Sequence, residues 1–187
     1  LDLIETETRR ISRIISNLLA FSRQSKLEVN QIDLNSLIER TLMIHANLLK
    51  LGNIKISTAL DEPLPQITGS GDQLQQVFIN FISNAAEAME TDGGTLSIAT
   101  RHHLNENQIS VLIEDTGPGV PPKDIPRLFE PFFTTKKEGK GVGLGLSVAY
   151  GIVKDHGGSI DVQSTPGKGT RFELLFPLKR EAETESA

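Results

Sequence analysis

The sequence contains no cysteine and no tryptophan, and only one tyrosine and two methionines among its 187 residues. Without cysteine, disulfides, thiolate metal sites and cysteine nucleophiles are excluded, and a reducing, cytoplasmic setting is expected. No apolar run approaches the roughly 18 residues of a membrane span and nothing resembles a secretory signal, so no membrane contact is expected of this segment. A basic surplus is also missing: 19 Lys and Arg stand against 24 Asp and Glu, a formal net charge of -5. That balance argues against nucleic acid as a partner, because binding along a phosphate backbone needs excess positive surface. Any phosphate bound here must be held by local geometry. What is present, 37% apolar and 23% charged residues, describes an ordinary globular chain with one good core and a small appended element. The chain opens at Leu1 rather than methionine, and is read as a piece of a longer protein whose other parts are free to be membrane-anchored.

Residues 1–24 carry Ile4, Ile11 and Leu18 seven apart, with Ile14, Phe21, Ile15 and Leu19 widening the stripe. This predicts an amphipathic helix whose seam needs a partner, since a lone helix of that length is marginal in water. A polar link then leads to a helix expected from an Asn35 cap to about Leu51, where Gly52 and Asn53 stop it. Asn53 to Leu60 alternates as a strand. Asp72 and Gln75 suggest a capping box for a helix to about Glu90. Strands are expected at Thr95 to Arg101 and Gln108 to Asp115, then a long irregular loop from Thr116 to Lys140. A helix from about Leu144 to His156 and strands at Ser159 to Ser164 and Thr170 to Pro177 complete the pattern. The fold class expected is α/β, a two-layer sandwich of a mixed sheet and helices with an N-terminal helix. The chain divides as an appended helix and linker (1–30), one domain (31–178) and a tail (179–187).

Three features carry chemistry. On the helix after Asp72, Leu74, Val77, Phe78, Phe81, Ile82, Ala85 and Met89 form an apolar face, while Gln73, Gln76, Asn80, Asn84 and Glu87 line the other. Asparagine is a poor mid-helix residue, and two of them at i and i+4 can stack amide oxygens toward a hard cation such as Mg²⁺. Taken alone, such a face is more often solvated surface. Asp115 ends an apolar strand and is followed by Gly117 and Gly119, so its carboxylate can accept from an exocyclic amine while the glycines admit a planar base. An ordinary turn uses the same residues. Gly139 to Ser147 is a glycine run entering a helix, fit to point backbone N–H groups at an anion, yet it matches neither the Walker nor the dinucleotide pattern.

In order and spacing, Asn80 to Ala88 (NFISNAAEA), Asp115 to Gly119 (DTGPG), Phe129 to Lys136 (FEPFFTTK), Gly141 to Ser147 (GVGLGLS) and Gly167 to Thr170 (GKGT) resemble the boxes of sensor histidine kinases. Val153 to Ile160 also looks like theirs, and Ile11 to Arg23 is similar to the second helix of their dimerisation hairpin. The resemblance implies the ATP-binding catalytic domain of the superfamily shared by gyrase, Hsp90, histidine kinases and mismatch-repair ATPases. By that likeness Asn84 would ligate Mg²⁺ and Asn80 would contact the metal and phosphates as a catalytic residue. Asp115 would read adenine above Gly117 and Gly119, and Thr170 would border the pocket. Gly141, Val142, Gly143, Leu144, Gly145 and Leu146 would cradle the phosphates, and Lys136 would reach the γ-phosphate catalytically. Glu87 stands where many relatives carry a basic residue, as in nitrogen-regulator-like members, and Ala88 replaces an aromatic.

The family's acceptor pattern, His-Glu-x-x-x-Pro, is matched by none of His45, His102, His103 or His156. The expectation is therefore a fragment that binds ATP and Mg²⁺, phosphorylates a histidine on a helix outside this segment, and does not label itself. The partners implied are a response-regulator receiver domain, the phosphoacceptor helix, and a second subunit in a homodimer of the full-length protein. A hydrolase of the superfamily is the nearest rival, but it would place a glutamate base where Asn80 stands. An inert docking module that uses nucleotide only to set its shape is the other.

Overall fold

The computed structural model describes residues 28–135 and 142–178. The predicted helix of residues 1–24, the tail 179–187, Lys136 and Gly141 lie outside the described residues.

A five-stranded mixed sheet is built from β2 (Ile54–Leu60), β4 (Gly94–His103), β5 (Gln108–Asp115), β6 (Ser159–Thr165) and β7 (Gly169–Pro177), in the order β2-β4-β5-β7-β6. Only β2 and β4 pair in parallel. Their crossover passes through α2 (Gly71–Ala88), as parallel neighbours require a long connection. α1 (Leu34–Leu51), α2 and α3 (Gly145–Asp155) make the second layer. Alternation decides which sheet face they cover: Leu96 and Ile98 on β4, Ile109, Val111 and Ile113 on β5, and Phe172, Leu174 and Phe176 on β7 are buried. Against them α2 presents Leu74, Val77, Phe78, Phe81 and Ile82, with the Phe81 and Phe172 rings 4.9 Å apart and tilted. The two-layer α/β expectation is met.

Two helix starts differ from the sequence reading. α1 is capped by Asp33, whose carboxylate accepts from the Ser36 backbone N–H at 3.2 Å and from its hydroxyl at 2.8 Å. The hydroxyl bond above all holds the Asp33 carboxyl below its ordinary value. Asn35 instead turns inward, donating to the Asp61 carbonyl and accepting from Thr100, because a buried amide must find partners on the adjoining strands. α2 has its N-cap position at Ser70, two residues before the expected cap, so Asp72 lies inside its first turn and complements the helix dipole rather than capping it. A two-stranded ladder, β1 (Asn30–Ile32) with β3 (Ile67–Gly69), was not expected: three residues each are too few for periodicity to register.

Candidate functional site

Asp115 is the last residue of β5, flanked by Leu96 of β4 and Thr170 of β7, and is only 7% exposed. Burial pushes its carboxyl above the ordinary aspartate value, and neighbouring Glu114 adds to the rise. Backbone N–H groups of Gly117 and Thr170 oppose it by donating to the carboxylate, the first at 2.9 Å. A buried acceptor fixed at a strand end is thus held ready for one further donor.

The loop after Asp115 is clamped to the β6–β7 hairpin. Gly167 N–H donates to the Pro118 carbonyl at 2.7 Å, and Val120 N–H to the Ser164 hydroxyl at 2.8 Å. Ser164 donates onward to the Gly169 carbonyl and lies 3.0 Å from the Thr170 hydroxyl. Gly119, with φ of 70°, lies against this hairpin so closely that a side chain would strike the Thr165 carbonyl. A side chain at Gly117 would stand 2.9 Å from the Asp115 carboxylate and 3.3 Å from Ala88 Cβ. The end of α2 therefore lies close beside the Asp115 loop.

Asn80, Asn84 and Ala88 are spaced i, i+4 and i+8 along one face of α2. At one end Asn80 Nδ2 donates to the Gly145 carbonyl at 2.9 Å, while its Oδ1 accepts from Gln76 at 3.0 Å. At the other end Ala88 meets Gly117. Eight residues of helix rise about 12 Å, so the strip runs from the start of α3 to Asp115 with Asn84 midway. That is the proportion of an extended nucleoside triphosphate, base at one end and phosphates at the other.

The Asn80 end of the strip is shaped by the turn before α3. Gly143 has φ of 71° and its carbonyl accepts from Phe132 N–H at 2.9 Å; a Cβ there would lie 2.5 Å from Phe132 and 2.6 Å from Phe133 backbone atoms. Phe132 shares the positive φ, at 67°, although it is not glycine. Phe129 packs on Tyr150 at 5.0 Å and Arg127 lies 4.4 Å over Phe133, so the loop's root is fixed on α3. Leu144, the residue at the N-cap of α3, makes no side-chain cap bond, so its own side chain does not cover the first-turn N–H groups. Val142, Leu144, Gly145 and Leu146 are half-buried around this turn.

Of the predicted residues, Asp115, Gly117, Gly119 and Thr170 come together as one cluster, and Asn80, Gly143, Leu144 and Gly145 as another, joined by α2. Sequence reasoning missed Ser164, Gln76 as the partner of Asn80, and the role of Met89, whose sulfur accepts from Thr116 at 3.7 Å. Ser164 sits in a strand of alternating polar residues and sends no signal. An open depression of about 560 Å³ beside Asp33, Glu39 and Glu62 lies elsewhere, and its carboxylates disfavour phosphate.

The two-layer fold is that of a histidine kinase-type ATP-binding domain. The model of the family described as histidine kinase-, DNA gyrase B- and HSP90-like ATPase matches residues 69–180, and the chain belongs to that family. Sporulation kinase A of Bacillus subtilis (strain 168) is 39% identical over 179 residues, which are 95% of this chain and 29% of that protein. Sensor histidine kinase ZraS of Escherichia coli O157:H7 is 34% identical over 172 residues, 92% of this chain and 36% of the relative. The chain therefore spans well under half the length of these relatives. Among solved structures, full-length ShkA in complex with AMPPNP superposes with a TM-score of 0.77 at 26% identity, over 92% of this chain and 37% of that one. Histidine kinase ThkA in complex with response regulator protein TrrA superposes with a TM-score of 0.78 at 27% identity, over 95% and 50% of the two chains.

Proposed function

We propose that this chain is the ATP-binding catalytic segment of a sensor histidine kinase, passing the γ-phosphate of ATP to a histidine outside it for relay to a receiver aspartate. The observation that carries this reading is the buried Asp115 at one end of the Asn80–Asn84–Ala88 face, with the start of α3 held to Asn80 at the other. Asp115 accepts the exocyclic amine of adenine beside Thr170 and Gly117. First-turn N–H groups of α3 and the turn at Val142, Gly143 and Leu144 hold phosphate oxygens, with Gly145 and Leu146 behind them. Asn80 and Asn84 offer neutral amide oxygens.

Among the described residues no group of three or more His, Cys, Asp or Glu could hold a metal by itself. The donor set fits Mg²⁺ that arrives on the nucleotide, with Asn84 and phosphate oxygens as ligands. When bound, Mg²⁺ neutralises charge that builds on the phosphates during transfer. The chain's own contribution is position: it holds the triphosphate in line and supplies no glutamate at Asn80 to activate water, which favours transfer over hydrolysis. Lys136 and Gly141, in the loop before α3, complete the phosphate contacts in this reading. Glu87 is the residue that supports the nitrogen-regulator-like subgroup.

The partners proposed are a phosphoacceptor helix, a receiver domain and a second subunit, the last two through the face of residues 9–24. The complex that ThkA forms with TrrA and the AMPPNP that ShkA holds support the receiver and nucleotide assignments. No helix among the described residues is long and apolar enough to cross a membrane. The test is to titrate the chain with MgATP and then add a separate hairpin that carries the histidine. Binding followed by phosphorylation of the hairpin is the expected result. Tight binding without transfer would replace the kinase with a nucleotide-dependent docking module.

A further inference from the structure

Helices α2 and α3 run antiparallel and are pinned at both ends. Near the glycine turn the pin is the bond from Asn80 to the Gly145 carbonyl. At the far end His156, which terminates α3, reaches Ser70, which begins α2, and its Nε2 accepts the Ser70 backbone N–H at 3.1 Å. The spans match, since ten residues of α2 and eleven of α3 rise about 15 and 16 Å.

The tautomer follows from the partners. A backbone N–H can only donate, so Nε2 is unprotonated, and Nδ1 carries the proton toward the Ile152 carbonyl 2.8 Å away, which can only accept. Gly69 lets the ring come this close: a Cβ there would stand 2.5 Å from Cδ2 and 2.7 Å from Nε2 of His156. Ser70 makes no side-chain cap bond, and the imidazole hydrogen-bonds this helix start to the end of α3.

Resting on the nucleotide reading above, we infer that His156 is a positioning residue for the phosphate half of the site. By closing the far end of the helix pair it sets the inclination at which Asn80 and Asn84 face the turn at Gly143 to Leu146. The base half is built chiefly from β5, the β6–β7 hairpin and the loop after Asp115, and α2 reaches it only at Ala88, the end of the helix farthest from this brace. Losing the brace should therefore weaken the grip on phosphates and leave the grip on adenine.

The experiment measures affinity for MgATP and, separately, for adenosine by calorimetry, in wild type and in His156→Leu, His156→Gln and Gly69→Ala. His156→Leu leaves the Ser70 N–H unpaired and should weaken MgATP about three- to tenfold, with adenosine held within about twofold. His156→Gln, whose side-chain oxygen can take the same bond, should recover most of the loss. Gly69→Ala displaces the ring from the opposite side and should reproduce the selective weakening, which keeps the test intact should His156→Leu fail to fold. Unchanged MgATP affinity in the displaced variants, or equal losses for adenosine and MgATP, would overturn the positioning role. A wild-type chain that binds neither ligand would sink the nucleotide reading itself, and this inference with it.

Discussion

Replacing Asp115 by Asn changes one atom at the base end of the site and leaves its shape intact. In the wild type Asp115 is 7% exposed and its carboxylate already accepts from backbone N–H groups of Gly117 and Thr170. The variant can keep its amide oxygen on the Gly117 N–H, 2.9 Å away in the wild type, so the loop should stay in place. An NH₂ group then stands where the other carboxylate oxygen was. Adenine's exocyclic amine, a donor, would meet another donor. A hydrogen bond to a charged acceptor contributes roughly 1.5 to 3 kcal/mol, so MgATP affinity should fall about ten- to 150-fold. Guanine carries an acceptor at the same ring position, which the new amide can satisfy, so the preference for ATP over GTP should shrink further than the ATP loss alone accounts for. Competition against a fluorescent ATP analogue measures both, and the far-ultraviolet spectrum checks the fold. ATP binding that survives the substitution unchanged would remove Asp115 from the base site and with it the orientation of nucleotide argued here.

The same carboxylate sets a pH dependence. Burial raises its folded-state value above the ordinary 3.8, so the stability it contributes is full below that value and is lost as pH rises through the folded one. Relative to Asp115→Asn, the ligand-free wild type should thus lose melting temperature as pH is raised from 3.8, and a gap moving the other way refutes the burial argument. Gly143→Ala combines a disallowed φ of 71° with a clash against Phe132 and Phe133 backbone, and should cost MgATP affinity at least about tenfold while adenosine binding persists; comparable titrations of the two ligands check it. Asp33→Ala removes the α1 cap and should destabilise the chain by about 1 kcal/mol in urea denaturation, with nucleotide affinity unchanged, since α1 lies away from the site. A loss of nucleotide binding in that variant would mean that α1 contributes to the site after all.

The apolar periods of α2, β5 and β7 were legible in the sequence because burial on one face demands them, and they placed Asn80, Asn84, Asp115 and Thr170 on the right elements. Gly143 was also readable as a backbone requirement, though the structure traces it to the approach of Phe132 rather than to an anion alone. What no local pattern carried is everything that depends on two distant segments meeting. Asn35, cap-like in the sequence, is a buried bridge between Asp61 and Thr100, because only the sheet's arrival beside α1 supplies those partners. Ser164 became the knot holding the Asp115 loop to the hairpin, and His156 the clasp on Ser70, across 44 and 86 residues of chain. The sequence by itself settled which side chains face the core and that Asn80, Asn84 and Asp115 sit on a helix face and at a strand end, since both follow from residue type and period. Tertiary structure alone decided the parallel β2–β4 pairing, the short β1–β3 ladder and the strip that joins Asp115 to the start of α3, because hydrogen-bond partners and close approach exist only once the segments are brought together.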